Sequence, residues 1–365
     1  MEQSRKYETA KYIISAAGFL VNTGLLIYLL TSGWSSHIRD IAAGWTSKPS
    51  VVILVYSVAI GFLFTAIQLP LDFLSGYLLE HRFGLSRQTL GGWAWDQLKS
   101  LLIGSIFGLT AVEAIYAILR SSPERWWIYC SLLFVAVFVV LTNLVPVLIL
   151  PLFFKFTPVE NEDLRRRVER LSRRVGTQVR GIFEWSLGEK TRKANAAVVG
   201  WGNTRRIIVS DTLLENFTGE EIEVIMAHEL CHHVKAHIWL GMLVQAVLTF
   251  VSFYVVNAAL HRFGARFNGI SDIANFPLLA LTAGAVSLCM LPLVNGFSRQ
   301  LERAADLFAI DVTGDSLAFV SSMEKLADLN LANKSPNRIM EFIFYSHPSI
   351  ENRIKLAADH VGQNV

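Results

Sequence analysis

The stretch His228-Glu229-Leu230-Cys231-His232 sets two imidazoles four positions apart, with a carboxylate beside the first. On a helix, positions i and i+4 share one face about one turn apart. His228 and His232 can therefore point at one zinc ion while Glu229 polarises a water. A catalytic zinc takes three protein ligands and leaves a fourth position open. Glu302, seventy positions after His232 on a second predicted helix, supplies the third, and Asp306 follows one turn later on the same face. Cys231 lies between two of these ligands, but as a fourth ligand it would close the site to water, so it reads as a packing residue. The chemistry such a set performs is hydrolysis. Zinc lowers the pKa of water and polarises a carbonyl, and Glu229 takes the proton and passes it to a leaving amine. An oxyanion also needs a partner. His347, in Ser346-His347-Pro348-Ser349, is a candidate, although spacing alone reads it more readily as a helix-end or core histidine. Arg353, six residues on, either meets a substrate carboxylate or braces the site.

These residues need elements to hold them, and the composition says where those elements live. Of 365 residues, 52% are hydrophobic and only 17% charged, against about 25% charged in soluble domains. The excess apolar residues fall in runs long enough to cross a bilayer, each of about 20 residues: Tyr12–Thr31, Val51–Gly76, Leu98–Leu119, Trp126–Leu148, Ile238–Leu260 and Phe276–Val294. The first follows charged sequence and lacks a small-residue cleavage site, so it reads as a retained span. Net charge is only +3, and its placement says more than its size. Arg165, Arg166, Arg167, Arg170, Arg173 and Arg174 cluster between the fourth and fifth runs, which puts that segment on the cytosolic side. The same cluster lies on an amphipathic helix with Leu164, Val168, Leu171 and Val175 inward. A face near anionic lipid headgroups suits it better than a nucleic-acid partner, and none is expected. Three cysteines without a CxxC pair exclude a disulfide framework.

Four blocks follow: residues 1–154 with four spans, 155–237 as an α/β segment ending in the HExxH helix, 238–297 as a span pair, and 298–365 with the third-ligand helix and a helical tail. Within the second block, a helix over 161–175 stops at Gly176. Strand-like runs follow at 178–185, 194–199 and 206–210, with Gly200-Trp201-Gly202-Asn203 as a hairpin turn. Thr218-Gly219-Glu220-Glu221 has the form of a capping box that opens the HExxH helix. An outgoing span after His237 and a returning span before Ser298 bring the two ligand segments to the same side of the membrane. Asp72 and Glu113 are acids within spans, where polarity is costly. Asn22, Asn143, Gln245 and Asn257 are expected to bridge helices.

Further segments carry a resemblance: Arg82-Phe83-Gly84-Leu85-Ser86 with Trp95-Asp96-Gln97-Leu98-Lys99; Pro151-Leu152-Phe153-Phe154-Lys155-Phe156-Thr157-Pro158; Asn195-Ala196 with Gly200 and Asp211-Thr212-Leu213-Leu214; His228 to His232; Ser298-Arg299 with Glu302 and Ala305-Asp306; and His347-Pro348. In this order they resemble the type I CAAX prenyl protease (a-factor convertase) family of integral-membrane zinc metalloendopeptidases, over roughly residues 80–355. The resemblance implies an α-helical membrane protein of six to seven transmembrane helices forming a chamber, with an inserted α/β gluzincin-like zinc protease domain. It implies one zinc per chain with Glu302 as third ligand, and Asp306 supporting a zinc-bound histidine. It also implies Asn195 on the sheet edge that pairs with substrate, and His347 and Arg353 at the substrate or its terminal carboxylate. The chain departs from the family pattern at Cys231, where Gly is usual, and at His233, where a large aromatic is usual. It also lacks the long insertion before the HExxH helix, which suggests a compact bacterial relative.

The function expected is thus a zinc-dependent membrane endopeptidase with a peptide or protein substrate, prenylated or not. Its place is a bacterial inner membrane, or the endoplasmic reticulum membrane of a eukaryote, with the catalytic side cytosolic. Two alternatives stand beside it. A heat-shock quality-control membrane protease is usually shorter with fewer spans. A non-proteolytic transporter or scaffold with a metal site would not need Glu229.

Overall fold

The computed structural model describes residues 2–200, 205–264 and 267–363. Its N-terminal half is built from α1 (Glu2–Thr31), α2 (Trp34–Trp45), α3 (Pro49–Asp72), α4 (Leu79–Arg82), α5 (Leu90–Ser121) and α6 (Trp126–Leu144). Each of the six apolar runs lies in a helix long and apolar enough to cross a membrane. Pro70 sits inside α3, and the chain continues as a π-helical turn over Phe73–Leu78. The spans bury little of their surface: between 0% and 17% of each most apolar window is buried. A solid bundle would hide one face of every helix. These helices are instead loosely packed, with most of each apolar window left open.

The α/β segment follows as β1 (Phe156–Pro158), α7 (Glu162–Arg174), β2 (Ile182–Trp185), β3 (Ala196–Val199), β4 (Arg206–Ser210), α8 (Asp211–Asn216) and α9 (Gly219–Val234). The four strands lie in the order β1-β2-β4-β3. β2 and β4 are parallel, and the outer pairings are antiparallel. β3 is therefore an edge. The α7 stripe of Leu164, Val168 and Leu171 packs with Ile207 and Val209 of the sheet and with Ile222, Met226 and Leu230 of α9. Gly176, at φ +73, takes the left-handed conformation that lets the chain leave α7. α9 opens on a complete capping box: the Thr218 side chain accepts from Glu221 N–H, and the Glu221 carboxylate accepts from Thr218 N–H. Lys325 and Ser321 also reach that carboxylate, at 2.7 and 2.6 Å.

The chain then runs through α10 (His237–Phe263), α11 (Phe276–Thr313), α12 (Ser316–Leu329), α13 (Arg338–Phe344) and α14 (Ile350–Gln363). Several expectations change here. The sixth span and the Glu302 helix are one continuous helix of 38 residues, because hydropathy reports the solvent around a helix and not its end. α2 and β1 were not expected, and the first two expected strands begin later, at Ile182 and Ala196. The expected hairpin turn falls largely on residues 201–203, outside the described residues. Asn22 bridges to Gln68 at 3.2 Å and Asn257 accepts from Trp126 at 2.7 Å, as expected, whereas Asn143 turns to its own helix at Val139. Asp72 accepts from Gln68, and Glu113 Oε1 has no partner among the described residues.

Candidate metal centre

α9 and α11 pack side by side, and three donors converge between them. His228 Nε2 lies 3.1 Å from Glu302 Oε2, His232 Nε2 lies 3.4 Å from Glu302 Oε1, and the two Nε2 atoms are 3.3 Å apart. Bonds of about 2.0–2.1 Å to a tetrahedral ion place neighbouring donors about 3.3 Å from each other. The two imidazoles have that spacing, and each has it to one oxygen of the Glu302 carboxylate, so the three side chains can converge on one ion. Nitrogen and carboxylate donors suit zinc. The donor set fits the metal that the motif calls for.

Both candidate histidine ligands have a partner behind them. Asp306, fully buried, accepts from His228 Nδ1 at 2.9 Å. Arg353 grips the same carboxylate with two donors, at 2.5 and 2.8 Å. Asp306 is one turn past Glu302, so one helix face presents both a ligand and the group that orients another ligand. Arg353 is itself buried, and its Nε and Nη2 both donate to Asp306. Of the two roles expected for it, this geometry fits the brace. His237 Nδ1 stands 3.2 Å from His232 Nδ1, a contact that spacing did not reveal. Ala236, at φ +56, breaks the path between α9 and α10 and swings His237 back toward the ligands. No helical period predicts that bend.

The electrostatics follow from this packing. Burial penalises charge on His228, but hydrogen bonds to Asp306 and Glu302 outweigh it and raise its pKa to about 9. Burial, then the charge on His228, pushes His232 down to about 4. The surroundings thus favour the charged form at His228 over His232, and a cation bound there would compete with that charge. Burial also raises the Glu229 carboxyl above the ordinary glutamate range, which makes it a stronger base. The Cys231 thiol is buried and pushed up to about 11, chiefly by that burial, as suits a packing residue.

His347 Nε2 lies 3.5 Å from Glu302 Oε2 with its side chain 59% exposed, so it sits on the open side of the cluster. Asn195 precedes β3 and is exposed. The sequence-derived residues thus fall into two groups. Those on α9, on α11, on α14 and in the turn before α14 meet at the cluster, and Asn195 marks the sheet edge.

The sequence pattern of peptidase family M48 matches residues 158–360, more than half of the chain. The chain belongs to that family. The preceding residues 1–155 match the pattern described as CAAX prenyl protease N-terminal, five membrane helices. An uncharacterized metalloprotease of Bacillus subtilis, YhfN, is 30% identical over 366 residues, covering 97% of this chain and 84% of the relative. CAAX prenyl protease 1 of Saccharomyces cerevisiae is 27% identical over 320 residues, covering 82% and 70%. The crystal structure of S. mikatae Ste24p superposes with a TM-score of 0.85 at 24% identity, covering 97% of this chain and 88% of that one, so the two share a fold. This M48 peptidase is a multi-pass membrane metalloendopeptidase.

Proposed function

We propose that this M48 peptidase uses zinc, held by His228, His232 and Glu302, to hydrolyse peptide bonds of CAAX-type substrates. The observation that carries the reading is the convergence of His228, His232 and Glu302 on one point, with Glu229 next to the first of them on the same helix. Zinc, when bound, supplies Lewis acidity, bringing water toward a pKa of about 7 and polarising the scissile carbonyl. Glu229 accepts the proton of the attacking water at its carboxylate and delivers it to the leaving nitrogen. His347, whose Nδ1 is 2.9 Å from Ser346 Oγ, donates through Nε2 to the carbonyl oxygen as negative charge develops. Asp306 and Arg353 keep His228 in one tautomer and one orientation. Asn195 opens the strand edge along which an extended substrate lies.

A prenylated substrate is supported by the yeast relative, named a CAAX prenyl protease. A bacterial inner membrane is supported by the Bacillus relative, and a cytosolic catalytic side by the basic α7 segment. The four-block division of the chain, at 154, 237 and 297, belongs to the same proposal, its last boundary now a functional one within α11. Glu229→Gln tests the reading. It is expected to retain one zinc per chain while kcat on a farnesylated peptide falls about 10²–10⁴-fold, the usual share of a general base. Wild-type turnover by the variant would refute it.

A further inference from the structure

Backbone groups on an edge strand alternate between the sheet and the open side. Asn195 faces β4: its carbonyl accepts from Ser210 N–H at 2.9 Å, and its N–H donates to Ser210 Oγ at 3.0 Å. By the period of two, Ala197 and Val199 also face β4, opposite Ile208 and Arg206. Ala196 and Val198 therefore turn their N–H and C=O outward. Those four groups are what an incoming extended chain would pair with, and two are already engaged. Asn195 Oδ1 accepts from Ala196 N–H at 2.8 Å. His233 Nε2 donates to the Val198 carbonyl at 3.1 Å. Among the described residues, Ala196 C=O and Val198 N–H are the outward groups left over. His233 follows a proposed metal ligand directly on α9, so the point where it meets the strand is fixed relative to the metal centre.

We infer that His233 is a specificity-determining residue that closes the β3 edge at Val198, restricting a bound peptide to one amide donation, into Ala196 C=O, and one acceptance, from Val198 N–H. This rests on the proposed reading of β3 as the substrate strand. A longer open edge would reward any extended chain with a ladder of hydrogen bonds, whatever its sequence. A window of two leaves more of the discrimination to side chains and to any lipid group. In either strand orientation, freeing the Val198 carbonyl would recruit a second substrate amide two residues from the first.

The test is an N-methyl scan of a farnesylated CAAX-type peptide, read as binding to the Glu229→Gln enzyme, so that no turnover is needed. Blocking one net hydrogen bond weakens affinity about three- to tenfold. In the His233-containing enzyme, one amide position outside the scissile bond is expected to show that loss. With His233→Phe added, a second position two residues away becomes sensitive. With His233→Gln, which keeps a donor near the Val198 carbonyl, the single-position pattern returns. Two sensitive positions before substitution, or no second position in a His233→Phe protein that still holds metal, would overturn the inference. Sensitivity at no position would remove the strand-edge reading beneath it, and failure of the parent peptide to bind would remove the CAAX reading as well.

Discussion

Replacing Asp306 separates two roles that one carboxylate fills. It is fully buried and accepts three hydrogen bonds, one from His228 Nδ1 and two from Arg353. In Asp306→Asn the shape persists, but the buried Arg353 guanidinium loses the one carboxylate that it bonds directly. Breaking a buried pair in this way costs about 3–5 kcal/mol. The amide also turns an N–H₂ toward one of its former donors. Separately, His228 loses the carboxylate that fixes its tautomer and raises its basicity, a change that lowers metal affinity about 10–100-fold. The two losses part company in the double variant Asp306→Leu/Arg353→Met. An apolar pair recovers much of the stability, since buried ion pairs are often matched by well-packed hydrophobes, but the His228 Nδ1–H still has no acceptor. Stability is measured by unfolding of detergent-solubilised, chelator-stripped protein, because bound metal would itself add stability. Affinity is measured by competition with a chromogenic zinc chelator. The expected result is recovery of stability without recovery of affinity. If affinity returned with stability, the loss in Asp306→Asn would be a folding effect, and Asp306 would have no separate hold on the metal ligand.

Glu302→Ala should purify with little or no zinc while keeping its helical circular dichroism, since one ligand of three is lost and α11 gains a good helix former; full metal content by mass spectrometry would exclude the cluster as the site. Glu221 supplies a pH dependence. Burial works against its charge, but Lys325, Ser321 and the Thr218 N–H outweigh that and hold its pKa below the ordinary 4.5. A depressed folded pKa contributes stability above the unfolded value and loses it as pH falls through the folded one. Glu221→Gln should therefore destabilise the metal-free protein by about 1–3 kcal/mol at pH 7 and flatten its acid loss of stability below 4.5. An unchanged acid limb would show that the capping box carries no such linkage.

Much of the site was legible because its signals are local or topological. Four-residue spacing puts His228 and His232 on one face of a helix whatever surrounds it, and a returning pair of spans brings Glu302 to the same side. Three features escaped. The unbroken α11 was hidden because apolar sequence gives way to polar at Asn295-Gly296, and the reading took that change of solvent for a helix end. The contact of His237 with His232 depends on one left-handed residue, Ala236, and alanine carries no turn signal. The commitment of Arg353 to Asp306 needs α14 packed on α11, a distance in sequence that no period spans. The departure at His233, visible in the sequence as a mismatch to the family pattern, acquired a meaning only when its partner on β3 was known.

The continuity of α11 bears on why the metal centre sits where it does. From Leu293, two-thirds exposed and the last strongly exposed leucine on that helix before the polar change, nine residues lead to Glu302. At 1.5 Å per residue the carboxylate stands about 14 Å beyond the apolar stretch. That is about twice the depth of one headgroup layer, roughly 5–8 Å, so the carboxylate stands clear of the hydrocarbon and within reach of water. Because the same rigid rod carries the span and the ligand, that height is set by helix geometry and not by a loop. The other two ligands reach the same level on α9, joined to the outgoing span through the bend at Ala236. One rigid connection fixes the height of the centre. One bent connection lets the second ligand pair and its flanking His237 turn to meet it.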